Sequence, residues 1–126
     1  MKELVIKKCL KCGAMVEVLE DCHCESGCGI KCCGESMKVL EPNSVDAATE
    51  KHVPIYEVKE DKIYAQVNHV MDEDHYIEWM MIISSKKTVK KCFKPGDEPA
   101  IHCKYAPGAI IYAYCNKHGL WKKEVE

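Results

Sequence analysis

Polar and apolar residues alternate with a period of two through much of the chain beyond its first third. Ile63, Ala65 and Val67 alternate with Tyr64, Gln66 and Asn68, and the run from His75 to Ile83 sets His75, Ile77, Trp79, Met81 and Ile83 against Tyr76, Glu78, Met80 and Ile82. A third run, Ala109 to Cys115, follows the Ala106-Pro107-Gly108 turn, and Lys94-Pro95-Gly96-Asp97 marks another turn. No stretch carries a helical period. Short strands separated by Pro, Gly and Asp turns predict an antiparallel β-sandwich. The N-terminal segment reads differently. It holds too few large apolar side chains to bury a core, so a bound metal must contribute much of its folding free energy. The turn-rich Glu41-Pro42-Asn43-Ser44 and the small, polar Val45-Asp46-Ala47-Ala48-Thr49 mark a linker. Two domains are therefore expected, residues 1–40 and residues 41–126, with the linker at the start of the second.

Composition narrows the function. The chain has 126 residues, 30% of them charged and 47% apolar, which is a globular balance. Eighteen basic against twenty acidic residues give a net charge of -2, and every basic residue is a lysine. Recognition of phosphate and guanine leans on the guanidinium fork, so a nucleic-acid partner is not expected. The N-terminal MKELVIKK has no apolar signal core, and no stretch approaches the roughly 18 apolar residues of a membrane span. A cytoplasmic protein with no membrane partner is expected. Ten cysteines then need a chemical account. In a reducing compartment, CxxC, CC and CxxH spacings read as metal ligands rather than as a disulfide framework.

Seven of the cysteines lie between Cys9 and Cys33, whereas all the histidines except His23 come later, which predicts two metal chemistries on two segments. Cys9-Leu10-Lys11-Cys12-Gly13 is a knuckle in which two intervening residues let both thiolates meet one ion. Its partner is Cys32-Cys33-Gly34. Adjacent residues on a regular strand point to opposite faces, so this pair is expected in a distorted turn. Four thiolates select zinc or iron, and spacing leaves both open. Downstream, His69 and His75 flank the acidic loop Val70-Met71-Asp72-Glu73-Asp74. Cys115-Asn116-Lys117-His118 supplies a thiolate and an imidazole before Gly119. By count, either His52 or His102 completes this set. Cys92 and Cys103, at strand positions, read as buried small hydrophobes.

The stretches CLKCG, CCGESM, EKHVP, HVM with HYIEW, KPGDEP and YCNKHGLWK, in this order and spacing, resemble the desulfoferrodoxin type of superoxide reductase over nearly the whole chain. The specific part is CNKHGLWK together with EKHVP. The resemblance implies an all-β protein in which a small, metal-stapled desulforedoxin-like domain precedes an immunoglobulin-like, neelaredoxin-type sandwich. It implies an iron, or alternatively a zinc, held by Cys9, Cys12, Cys32 and Cys33. It further implies a non-haem iron with His52, His69, His75 and His118 in its equatorial plane, Cys115 as axial ligand and a sixth position open. There superoxide would be reduced by one electron to hydrogen peroxide. Lys51 would present an ammonium near the open position, and Glu50 would be the carboxylate that occupies it after peroxide leaves. A rubredoxin-like electron donor and a homodimer are the implied partners. Neutral imidazoles and one thiolate leave ferrous iron positively charged, which suits a small anion, and thiolate donation raises its electron density.

The chain departs from that pattern in three places. Val70 stands where proline is common, which predicts a less rigid loop to His75 with ligation intact. Lys117 replaces a usually apolar residue. The segment from Asp21 to Cys28, usually glycine-rich, carries Cys22, Cys24 and Cys28. These are expected to bulge away from the metal, because each doubling of a loop costs only about 0.6 kcal/mol. The reading from another class is a non-catalytic metal-binding or electron-transfer module with a structural zinc or iron, in which the thiolate iron matters and the histidine site is a structural zinc.

Overall fold

Short strands joined by tight turns make up nearly all regular structure in the computed structural model, which describes residues 3–21, 23, 29–45, 47 and 49–126. No α-helix occurs among the described residues. The chain divides into two units, Glu3–Glu41 and Pro42–Glu126.

The first unit contains β1 (Ile6–Lys8), β2 (Met15–Glu17), β3 (Lys31–Cys32), β4 (Glu35–Ser36) and β5 (Lys38–Val39). Strands β2, β1 and β5 form one antiparallel sheet in that order, and β3 and β4 form a separate hairpin. The hairpin turns on Cys33 and Gly34, whose φ values of 53° and 78° are both left-handed. Two successive left-handed residues make the mirror-image turn that matches strand twist in two-residue hairpins, and that turn swings Cys33 off the strand. Leu4, Ile6, Cys9, Val18 and Met37 are buried, whereas Leu10 and Leu19 are 69% and 73% exposed. Buried Lys7 reaches Asp21 at 3.0 Å. This is a thin core, as the composition of the segment predicts.

The second unit opens with a 3-10 turn, Thr49–Lys51, followed by β6 (Ile55–Lys59), β7 (Lys62–Gln66), β8 (Ile77–Ile83), β9 (Thr88–Cys92), β10 (Ala100–Lys104), β11 (Ile110–Cys115) and β12 (Gly119–Glu124). They form two antiparallel sheets, β10-β7-β6 and β12-β11-β8-β9. Ile63, Ala65 and Ile101 from the first sheet share one core with Met80, Ile82, Ile111, Ala113 and Cys115 from the second, so the sheets pack face to face as a sandwich of three and four strands. Asn43 covers the β12 edge: its Oδ1 accepts the Lys122 N–H at 2.8 Å and its Nδ2 donates to the Lys122 carbonyl at 3.3 Å.

Two details depart from the alternating pattern. β7 alternates as its sequence suggests, Ile63 and Ala65 buried between exposed neighbours, but β11 is buried at every position and β8 at all but Glu78. These are the central strands of the larger sheet, and both their faces are covered. The pairing of β8 with β11 also shifts register between Tyr114 and Cys115: Tyr114 faces Trp79, while Cys115 faces Ile77. The extra residue is Glu78. Such a bulge flips the side-chain sense, which is why Ile77 joins Met80 and Ile82 in the core rather than sharing the Trp79 face. Trp79 and Tyr114, stacked with centroids 5.6 Å apart, pin the last regular step of the ladder. Cys92 is also a correction. It is exposed on the edge strand β9 and not buried, while Cys103 is half-buried against the core.

Candidate metal centres

Five segments of the second unit end at the same edge of the sandwich. His52 follows the 3-10 turn, whose Thr49 carbonyl accepts the His52 and Val53 N–H groups at 3.1 and 2.9 Å. His69 lies just past β7, His75 just before β8, Cys115 ends β11, and His118 sits in the β11–β12 turn. Gly119 closes that turn at φ 80°, and a Cβ there would meet Val45 Cγ2 at 3.3 Å. One nitrogen from each histidine and the Cys115 Sγ all lie within 4.8 Å of one another.

The rings form a closed cycle. Centroids are 4.8 Å apart for His52–His69, 4.6 Å for His69–His75, 5.0 Å for His75–His118 and 4.9 Å for His118–His52, every pair edge-to-face. Cys115 Sγ lies 3.4 Å from His69 Nε2 and 3.8 Å from His118 Nδ1, the two rings opposite one another in that cycle. The His52 Nε2 and His118 Nδ1 atoms are 3.1 Å apart. Two nitrogens bound at about 2.1 Å to one metal, at right angles, stand about 3.0 Å apart, so the spacing fits a shared ion.

One tautomer in this cycle is set by the backbone. His69 Nδ1 faces the Val70 carbonyl, which can only accept, so Nδ1 carries the proton and Nε2 offers its lone pair. His75 Nε2 is buried without a hydrogen-bond partner. A buried donor atom left without a partner is costly unless something binds it, and a metal does so. Burial holds His69 and His75 below the ordinary histidine range, and the adjacent rings add to the effect; for His75 the Lys117 ammonium does as well. Both rings are thereby kept neutral, the form that ligates. Trp121 stacks on His52 at 4.9 Å and donates Nε1–H to the His118 carbonyl at 3.0 Å. The loop between His69 and His75 is tied despite Val70: Gly96 N–H bonds the Met71 carbonyl at 2.8 Å, Ile77 N–H meets the Met71 sulfur at 3.4 Å, and Asp72 and His75 form a two-way bridge.

The second cluster is in the first unit. Cys9, Cys12, Cys32 and Cys33 place their sulfurs within 4.8 Å of one another. Cys12 and Cys32 are 3.7 Å apart, and Cys32 and Cys33 are 3.9 Å apart. Four sulfurs at about 2.3 Å from one ion at tetrahedral angles are separated by about 3.8 Å, so the set fits a single four-thiolate metal. The backbone amides of Cys12 and Lys11 pull the Cys9 thiol down to about 7, while Cys32, hydrogen-bonded with Cys12, Cys9 and Cys33, is pushed up to about 12.

A family model described as Desulfoferrodoxin matches residues 44–124. The chain belongs to the desulfoferrodoxin family. It is similar to the desulfoferrodoxin of Syntrophotalea carbinolica, 40% identical over 128 aligned positions that cover 98% of each chain. It is also similar to that of Nitratidesulfovibrio vulgaris, 42% identical with 94% of each chain covered. Among solved structures it is similar to the superoxide reductase from Treponema pallidum, with a TM-score of 0.70 and 25% identity over 97% of this chain and 99% of that one.

Within this family member the question between His52 and His102 has a geometric answer. His102 is exposed on β10 with its ring 5.8 Å from that of Tyr64, away from the cycle that His52 completes. His23 pairs with Glu20 at 2.9 Å. Lys51 is exposed and lines a recess of about 410 Å³ with Gln66, Val67, His69, Val70 and Glu98. Glu50 shares the 3-10 turn, and its side chain lies outside the described part. Cys22, Cys24 and Cys28 are outside the described residues too, and with them the expected bulge. Lys117 stands 3.9 Å from Asp74 on the surface. Asn116 and Trp121 were not singled out from the sequence, although both lie within CNKHGLWK.

Proposed function

We propose that this member of the desulfoferrodoxin family is a superoxide reductase that combines one superoxide, one electron and two protons into one hydrogen peroxide. His52, His69, His75, His118 and Cys115 would hold the catalytic iron. Cys9, Cys12, Cys32 and Cys33 would hold a second iron, with zinc the alternative, in a desulforedoxin-like unit. Held by the first set, a ferrous iron would supply the electron and a positive charge for the anionic substrate. The observation that carries this reading is the closed cycle of four imidazoles with the buried Cys115 thiol against two opposite rings and an unpartnered His75 nitrogen.

The chain's own residues do the rest. The fold holds His69 and His75 neutral, so no histidine proton has to leave these rings before they ligate. Lys51, exposed in a recess that reaches His69, offers superoxide a local positive charge on a protein of net charge -2. Glu50, beside it in the turn, is the carboxylate that would complete the ligand set of the oxidised protein. A rubredoxin-like one-electron donor, a homodimer and a cytoplasmic location belong to the same reading. Cysteines gathered as metal ligands, Cys9, Cys12, Cys32 and Cys33 in one set and Cys115 in the other, suit a reducing compartment. Among the described residues no helix is long and apolar enough to cross a membrane.

Pulse radiolysis of the iron-loaded protein tests the proposal, with Cys115→Ser as the comparison. The variant exchanges a soft, donating ligand for a hard, poorly ionised one. Reaction with superoxide should slow by more than about 100-fold, beyond the loss typical of outer-shell partners. The visible thiolate band of the histidine site should disappear while that of the four-thiolate site stays. Unchanged turnover in Cys115→Ser, or no reaction in the iron-loaded wild type, would overturn it.

A further inference from the structure

Asn116 lies in sequence between the ligands Cys115 and His118, and its side-chain hydrogen bonds go elsewhere. Its side-chain Oδ1 accepts the Tyr76 N–H at 3.0 Å, its Nδ2 donates to the Asp74 carbonyl at 3.0 Å, and its own N–H donates to the Tyr76 carbonyl at 3.2 Å. All three bonds go to the residues on either side of His75. We infer that Asn116 is a positioning residue that locks His75 to the Cys115–His118 turn, its side-chain amide standing in for a peptide group where the strand ladder has run out.

The need for such a lock follows from the register. The β8–β11 ladder slips at Tyr114/Cys115 and its last pairing is Cys115 with Ile77, so His75 lies beyond the regular sheet bonds. A primary amide carries both a donor and an acceptor, as a peptide does, and it extends the ladder by one step. The two-way bridge between Asp72 and His75 closes the loop on itself without joining it to the Cys115–His118 turn, and the Lys117–Asp74 pair, which does reach that turn, spans 3.9 Å between side chains 51% and 86% exposed, where ion pairs hold weakly. His75 in turn carries the buried Nε2 that no hydrogen bond satisfies. Fixing the backbone on both sides of His75 keeps that nitrogen aimed at the common point without a direct contact to its ring.

The inference rests on the proposed iron site and is tested separately from it. Iron retention by the histidine site of the full chain is measured against a competing chelator, with the site's own visible thiolate band as the readout and the four-thiolate band as internal reference. Asn116→Ala should weaken iron binding by about 10–100-fold, the range for outer-shell partners. Asn116→Asp, which keeps the acceptor but turns a carboxylate oxygen on the Asp74 carbonyl, should weaken it at least as much. In a His75→Ala background, Asn116→Ala should change retention by less than about twofold, since a residue acting through His75 has nothing left to position. Equal loss in both backgrounds, or none in either, overturns the lock. A wild-type protein that takes up no iron at the histidine site overturns the proposed function and the lock with it.

Discussion

The two donor clusters show opposite ways of making a metal site from one chain. The four cysteines are neighbours on a knuckle and a hairpin, with Cys12 and Cys33 exposed and only a thin core beneath them. The histidine set joins residues as distant in sequence as His52 and His118, around a Cys115 with no exposed surface, at the end of a seven-stranded sandwich. In the first, local spacing gathers the ligands and the metal has to complete the fold. In the second, the fold gathers the ligands and holds them for the metal. Charge follows the same division. Crowded sulfurs push the Cys32 thiol above its ordinary value while backbone amides pull the Cys9 thiol below it, whereas burial moves His69 and His75 the same way, below the ordinary histidine range.

Removing metal should break this comparison most visibly. With thiols kept reduced and metals chelated, amide exchange around Ile6, Val18 and Met37 should become fast. Ile63, Met80 and Ile111 in the sandwich core should stay protected. The contrast is large because a structural thiolate metal supplies on the order of 10 kcal/mol of folding free energy, more than a handful of buried side chains leaves after ordering costs. Cys32→Ser should reproduce it without chelator. Protection persisting in Glu3–Glu41 of the metal-free protein would show that its core suffices alone.

The same division decides what was legible in the sequence. CxxC and CC are local signals, and the distorted turn expected for Cys32-Cys33 is the left-handed Cys33-Gly34 pair. β7 was readable because the outer face of its sheet meets solvent, so Tyr64 and Gln66 stay polar between Ile63 and Ala65. β8 and β11 were not, because central strands covered on both faces lose the period, and no residue type announces the bulge at Glu78. His52 and His102 are equivalent by spacing, since what separates them is position in the fold: His102 faces outward from the middle of β10, whereas His52 lies at the edge where the other ligands meet. Only the resemblance to a family favoured His52 before the fold was known. Cys92 was misjudged because an edge strand exposes a position that a central strand would bury. Asn116 and Trp121 act through hydrogen bonds and stacking that exist only once the chain has closed.

Acid should act on the histidine end with a definite sign. His69 and His75 have folded pKa values below the ordinary 6.5, so as pH falls through that value the unfolded chain takes up protons that the folded protein refuses. The stability these rings contribute is full above about 6.5 and is lost as pH falls towards their folded values. Denaturant midpoints of the metal-free sandwich should therefore drop between pH 7.5 and pH 5, and His75→Gln should flatten the dependence. A midpoint independent of pH over that interval would mean the rings are not desolvated as the geometry indicates.

The smallest expected effect separates the clusters by kinetics. Lys51 lies in the recess beside His69, so Lys51→Ile removes a charge that acts on superoxide before contact. The encounter rate should fall a few-fold, up to about tenfold, and its dependence on ionic strength should flatten, because salt at about 0.1 M already screens charges beyond about 10 Å. Glu50→Ala should leave that rate within about twofold and alter instead the spectrum of the resting oxidised iron. Cys12→Ser, in the thiolate unit, should also leave it within about twofold, since no part of the steering charge is removed. If Cys12→Ser slows the encounter as much as Lys51→Ile does, the thiolate cluster takes part in capturing superoxide and the two sites cannot be treated as separate solutions.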